Sequence, residues 1–434
     1  MAPDKLITIL RGILGVTALL AVCWAFSVNR KSVNWRLVAT GLGLQLVLAL
    51  LMLKVGFVEE GVRWIAELFK SIIEFSSAGT VFLFGDLVTE ASHGAQLGFK
   101  ILPSIMFFSA LTSVFYYLGI LQRVVYVFAW LMQRTMKLSG AETLSAAANV
   151  FLGYTEAPLV VRPYLAKMTR SEILCLMTVG MATMSGAVLG IYMLIIGGDD
   201  PEKTVAAGKY LITASIMAAP VALMVSKMLY PETEEVDKNL IVAKQSVGIN
   251  LFDAVATGTL QGVKLAGAVI ALLITFISLI HLCNYVTVEW IGAPLGLNTW
   301  IAEVTKGDFD AFTLQFIAGA SFAPVAWIIG VDADSALLVG RLLGERIVVT
   351  EFVAIYSLGE LIEAGAITDP KAITIATFAL CGFAHFTSCG ILIGALSTLA
   401  PSQRNQFADL SLRALAGATI ATLINAAVAG AILG

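Results

Sequence analysis

Runs of about twenty apolar residues dominate this chain, and they restrict it to one environment. They lie near 6–28, 36–56, 99–118, 172–197, 209–230, 264–286, 371–398 and 408–432. About 20 residues of helix cross the hydrocarbon core of a bilayer. Lipid offers the backbone no hydrogen-bond partner, so such runs must be helical. Of the 434 residues, 58% are hydrophobic and 13% charged. A soluble domain carries roughly a quarter charged residues, and no single soluble core could bury this much apolar surface. The expected fold class is an all-α integral membrane protein, one polytopic domain over residues 1–434. Its first partner is the lipid bilayer. A net charge of −3 leaves no basic surface, so no nucleic-acid partner is expected. Cys23, Cys175, Cys283, Cys381 and Cys389 form no CxxC and no metal-ligand spacing, and read as small membrane-helix residues.

Two more stretches, 141–169 and 335–363, have a helical pattern but are broken near the middle by polar residues. They read as re-entrant hairpins, giving eight transmembrane helices plus two hairpins. Lys and Arg orient the loops. Asn29-Arg30-Lys31 and Arg36 place the first loop inside and the N-terminus outside. Arg123, Arg134, Lys137, Arg162, Lys167 and Arg170 follow the same parity. The loop from Pro231 to about Ser246 fits only weakly, being acid-rich. No small-residue cleavage site follows the first run, which reads as a span and not a signal peptide. Parity makes 313–331 interfacial or partly inserted. Segments 121–136 and 58–75 read as helices lying along the membrane face.

Two polar clusters recur in the same order. Asn149-Val150-Phe151-Leu152-Gly153-Tyr154-Thr155-Glu156-Ala157-Pro158 precedes a span broken at Thr183-Met184-Ser185-Gly186. Val348-Val349-Thr350-Glu351-Phe352 precedes a span broken at Gly382-Phe383-Ala384-His385-Phe386-Thr387-Ser388-Cys389-Gly390. Each Thr-Glu pair falls at a hairpin turn, and each break follows about 30 residues later. The two hairpins enter from opposite sides, so the repeat is inverted. Non-helical backbone at membrane depth is tolerated only where it lines a cavity or is buried in protein. Paired interruptions in two halves point to a carrier's binding site, with carbonyls for a cation and helix N-termini for polar solute groups.

Glu156 and Glu351 are carboxylates inside apolar segments, where an acid is costly and marks function; a structural alternative pairs them with Arg162 and Arg346. Asn149 and Thr183 offer neutral hard oxygens that suit sodium, although Asn149 could instead cap a helix. His385 and Ser388 share a helix face, and His385 could simply be a buried histidine bonded to a neighbour. Tyr154 and Phe383 are packing rings or stacking surfaces for a flat solute.

At these clusters the sequence resembles the concentrative nucleoside transporters, bacterial type. The resemblance is carried by Gly153-Tyr154-Thr155-Glu156-Ala157-Pro158-Leu159-Val160-Val161-Arg162-Pro163-Tyr164-Leu165, Ala323-Pro324-Val325-Ala326-Trp327, Thr350-Glu351-Phe352-Val353-Ala354 and Cys381-Gly382-Phe383-Ala384, and runs from about residue 6 to the C-terminus. It implies that Gly153, Tyr154, Thr155, Glu156 and Val188 contact the base, and that Glu351, Phe383, His385 and Ser388 contact the ribose. It implies sodium at Asn149, the Leu152 carbonyl, Thr183 and the Met184 carbonyl. It also implies a homotrimer in the inner (plasma) membrane. There a transport part (about 141–230 and 335–432) would move, elevator fashion, against scaffold helices (about 6–56, 99–118 and 264–286). Three positions depart from the family pattern: Tyr154 stands where Gln is usual, His385 where Asn is, and Thr350 where Asn is. The solute is accordingly expected to be a nucleoside or a modified nucleoside, with uridine not preferred.

The leading function is a sodium-coupled symporter importing nucleosides or nucleoside-like solutes. A proton-coupled carrier is the alternative. ATP-driven transport has no GxxxxGK[ST] behind it. An intramembrane enzyme built on His385 and Ser388 lacks a nucleophile elbow and a nearby orienting acid. A passive channel lacks the ring of carbonyls or charges a filter needs.

Overall fold

The computed structural model describes residues 3–85, 97–154, 156–198, 200–240 and 248–433. Every regular element among them is helical. Among the described residues five helices are long and apolar enough to cross a membrane: Ile7–Ala25 within α1 (Pro3–Ala25), α2 (Trp35–Lys54), α11 (Pro201–Leu229), Leu251–Gly292, and Pro401–Leu433. The fourth of these begins as α12 (Leu251–Tyr285) and widens into a π-helix over Val286–Gly292, with the short α13 (Leu297–Val304) after it, and the fifth is mostly α19 (Arg404–Leu433). Two bent pairs would raise the number to seven. One is α4 (Leu97–Tyr117) with α5 (Ile120–Met136), bent by 77°; the other is α14 (Leu314–Ile328) with α15 (Ala333–Val348), bent by 118°.

The runs 172–197 and 371–398 are each two helices. The first is α9 (Arg170–Ala182) followed by α10 (Gly186–Gly197). The second is α17 (Pro370–Leu380) followed by α18 (Phe386–Leu399). Each half is too short to span alone. The 264–286 run is part of a longer helix that starts at Leu251, where Asn250 caps it by accepting from Asp253 N–H. Segment 58–75 lies in the longer α3 (Gly56–Phe84), which buries only the stripe Val62, Ala66, Ile73, Ser76 and Thr80. That spacing is one face of a 3.6-residue period.

Residues 141–169 fold as α6 (Gly140–Asn149), a turn, then α7 (Ala157–Val160) and α8 (Arg162–Leu165). Residues 335–363 fold as α15 and α16 (Glu351–Glu363), separated only by Val349 and Thr350. The helix starts follow from local chemistry. Ser139 with Glu142, and Thr169 with Glu172, form capping boxes at α6 and α9, each satisfying two otherwise orphaned N–H groups. Thr350 Oγ1 caps α16 by accepting from Val353 N–H. Small residues set the closest packing: Gly340 and Gly344 lie four apart on α15 and face α14, where a Cβ at Gly340 would meet Ala323 N at 2.6 Å. Such pairs let membrane helices approach to backbone contact.

Burial is strongly graded. Every residue of α6 is buried, as is α9 from Ser171 to Ala182. By contrast α12 exposes Leu260, Ile274, Leu279 and Leu282. The packed centre is therefore made by the hairpins, the broken helices, α11 and α19, while α12 lies outside it against α4.

Candidate functional site

The two broken helices cross at their breaks. Gly382 has φ +138, and a Cβ there would sit 2.8 Å from Ala182 O and 3.0 Å from Met181 O. Only glycine combines that dihedral with that approach. Around this crossing stand the tips of both hairpins. Tyr154, at the first tip, lies against Gly180 of α9 and packs its ring on Phe383 with centroids 4.8 Å apart.

Glu351, at the second tip, is buried. Its Oε1 accepts a 2.8 Å hydrogen bond from Tyr192 Oη of α10. His385 Nε2 lies 2.7 Å from Oε2 as an ion-pair contact, and Oε2 accepts no hydrogen bond of good geometry. His385 is itself fixed. It caps α18 by accepting Ser388 N–H on Nδ1 at 3.2 Å, and its Nε2 is 2.9 Å from Ser388 Oγ. An accepting Nδ1 requires the proton on Nε2 in the neutral ring. His385 is thus a buried histidine bonded to its neighbours, and the neighbours are the other expected solute contacts.

Asn149 ends α6 and is 1% exposed. Its amide nitrogen donates to Ser145 O at 2.9 Å, while Oδ1 is buried with no hydrogen-bond partner. It does not cap a helix N-terminus. Thr183 and Met184 are buried in the first break, where Thr183 Oγ1 donates to Val179 O at 2.9 Å. A hydroxyl that donates away turns its lone pairs outward. Leu152 is buried in the adjoining turn, and Phe151 O accepts from Gly186 N across the break at 3.4 Å. These residues fit a small hard cation, because a buried amide oxygen without a donor is costly unless a positive charge satisfies it.

Gly153 and Val188 are buried beside these groups, and Glu156 is half-buried at the start of α7, its N–H bonded to Gly153 O at 2.9 Å. Thr155 lies outside the described residues. The suggested Arg346–Glu351 pair is not made: Arg346 turns to Ala379 O and Thr422 Oγ1, since its position five residues before Glu351 belongs to a different helix. Among the described residues Glu156 and Arg162 also form no ion pair. Tyr192 was not anticipated. Its signal was its place four residues after Val188, on the same face of α10, as a lone phenol in an apolar run.

A family model for the Na+ dependent nucleoside transporter C-terminus matches residues 210–430, its N-terminal counterpart matches 14–87, and a nucleoside recognition (Gate) model matches 98–199. The chain is 38% identical over 432 residues to an uncharacterized transporter of Haemophilus influenzae, covering 98% of each. It is 37% identical to sodium/nucleoside cotransporter 1 of Rattus norvegicus, covering 96% of this chain but 62% of the rat protein. It thus spans less than two thirds of that mammalian relative. Among solved structures, CNTnw in an inward-facing substrate-bound state matches with TM-score 0.87 and 35% identity, covering 98% of this chain and 99% of that one. A doubly substituted CNTnw in an outward-facing state matches with TM-score 0.87 and 35% identity, covering 98% of each.

Proposed function

The chain belongs to the Na+ dependent nucleoside transporters, whose coupling ion is sodium, and we propose that it is a symporter importing nucleosides or modified nucleosides on a sodium gradient. One observation carries the reading: each hairpin ends beside a buried acceptor oxygen that has no donor, the neutral Asn149 Oδ1 and the charged Glu351 Oε2. The first suits a cation. The second suits a solute hydroxyl, because a carboxylate accepts hydrogen bonds and offers none.

In this reading Glu351, His385 and Ser388 hold the sugar, with Phe383 beneath it. Gly153, Tyr154, Thr155, Glu156 and Val188 frame the base. Sodium at Asn149, Thr183 and the Leu152 and Met184 carbonyls orders the first hairpin tip, so ion and solute favour each other's binding by reciprocal linkage. No covalent chemistry is involved. Eight spans and two re-entrant hairpins would form an inverted repeat. The buried transport part, 141–230 and 335–432, would then shift against α1, α2, α4 and α12 in an elevator motion. The exposed apolar face of α12 supports contact with lipid and with neighbouring copies of a homotrimer in the inner membrane, N-terminus outside.

Proton coupling is the second reading, favoured by His385 beside Glu351. Proteoliposomes separate the two. Nucleoside accumulation should require an inward sodium gradient, collapse when it is dissipated, and return the solute unaltered. Full uptake in sodium-free buffer on a proton gradient alone would overturn the sodium reading. The purified protein should also melt higher with sodium and nucleoside together than with either alone; one ligand at 100 times its dissociation constant adds about 2.7 kcal/mol of stability.

A further inference from the structure

Arg346 has no place in the site described so far, yet it is 0% exposed in the last turn of α15. Among the described residues no carboxylate lies within ion-pair distance of it. Its Nη1 donates to the Ala379 carbonyl and, at 2.9 Å, to Thr422 Oγ1 of α19, while Nε and Nη2 have no hydrogen-bond partner. A guanidinium cannot shed its proton to escape burial. It must be stabilised by the negative pole it faces. Ala379 is the penultimate residue of α17, and the chain breaks just beyond it. Its carbonyl is one of those a helix end leaves without an internal donor, where a cation is favoured.

The other half of the molecule has the same parts without the arginine. Asn149 lies in the last turn of the first hairpin helix, as Arg346 does in the second. The helix α9 breaks just after Met181 and Ala182, as α17 breaks after Ala379 and Leu380. There a bare amide oxygen waits for a positive charge; here the charge is built into the chain. We propose that Arg346 is a tethered cation that performs in the second half the joining role sodium performs in the first, tying hairpin to broken helix. Glu351, which opens α16 with only Val349 and Thr350 between it and α15, is thereby held ready without an ion, and one sodium suffices for each nucleoside. The inference rests on the sodium site proposed at Asn149 and Thr183.

The test measures nucleoside binding to purified protein across a sodium titration, together with the sodium-to-nucleoside ratio of the unaltered protein in proteoliposomes. That ratio should be one; a ratio of two overturns the proposal. Arg346→Lys, which keeps the charge, should bind nucleoside within about threefold of the original, with a sodium Hill coefficient near ~1. Arg346→Gln should bind at least about tenfold more weakly at ordinary sodium. Its binding should recover at high sodium with a Hill coefficient rising toward ~2, as a second ion takes the vacated role. Original affinity in Arg346→Gln, equal impairment in both variants, or impairment that sodium does not relieve would each overturn it. Should Arg346→Gln fail to fold, the Lys variant and the transport ratio still decide. Asn149→Ala is run beside them. An unchanged sodium requirement there sinks the first-half ion site, whatever the Arg346 variants do.

Discussion

At the scale of the residue, Glu351 is a buried carboxylate held between Tyr192 and His385. Tyr192 supplies the donor that keeps one oxygen satisfied, and the proposed site leaves the other for solute. Tyr192→Phe should therefore lower the melting temperature of the ligand-free protein, because a buried carboxylate short of a donor costs about 1–3 kcal/mol. The nucleoside-induced rise in melting temperature should grow, since solute hydroxyls relieve the same defect. Equal losses with and without nucleoside would mean that Tyr192 only packs. In the site proposed above, Tyr154 and His385 are the residues that would set selectivity. A phenol and a tautomer-fixed imidazole replace two amides that could each donate and accept. Competition binding should rank a purine or modified nucleoside above uridine, and Tyr154→Gln with His385→Asn should move the preference toward uridine. Tightest binding of uridine by the unaltered protein would refute this.

At the scale of the element, the base of the first hairpin is a polar lock that the apolar pattern hides. Lys227 of α11 is buried against Glu142 of α6, and lies 2.8 Å from Ser171 Oγ and 3.1 Å from Glu232. The loop after α11 straps the hairpin from outside, with Asp237 O accepting Gly140 N–H and Asn239 O accepting Tyr164 Oη–H. Removing one partner of a buried pair strands the other. Lys227→Met should cost about 3–5 kcal/mol in thermal or denaturant unfolding. Burial alone would raise the Glu232 carboxyl, but Lys227, Thr169 and a backbone N–H hold it below its usual value. A lowered folded value means stability that is present above the unfolded carboxylate range, about 4.3, and lost as pH falls through the folded one. Melting temperature should fall in that acid window. Glu232→Gln should melt lower at neutral pH and show a shallower acid decline, and an identical acid profile would remove Glu232 from the account.

At the scale of the whole molecule, two broken helices meet at one point, and the proposed transport cycle turns on that meeting. Gly382 makes that meeting possible, with a positive φ and Ala182 O where a side chain would be. Gly382→Ala should destabilise by about 1–3 kcal/mol through strain. It should reduce transport far more, because it displaces both breaks together. Normal uptake kinetics in that variant would show that the crossing tolerates separation. Arg11 bridges α1 to the turn between α14 and α15, pairing with Asp332 at 2.7 Å and donating to Val331 O and Trp327 O. That contact joins the N-terminal helix to the foot of the second hairpin.

The apolar runs alone determined an all-helical membrane chain, since lipid leaves the backbone no other way to satisfy its hydrogen bonds. The interruptions at Thr183–Gly186 and Gly382–His385 were equally legible, because Gly, Ser and Thr inside such runs cost stability unless they serve a cavity. What lay beyond reach was partner choice across long separations. Glu351 takes Tyr192, 159 residues away, and passes over Arg346, five residues away. Lys227 finds Glu142, whose capping-box spacing marks a helix start and says nothing of a distant lysine. Sequence spacing fixes which residues share a helix face, within a few turns. Which faces then meet depends on how the helices cross, and that is settled only when glycines such as Gly340, Gly344 and Gly382 let particular backbones into contact. The oxygens left without donors at Asn149 and Glu351 exist only in the folded chain, because being unsatisfied is a property of surroundings and not of residue type.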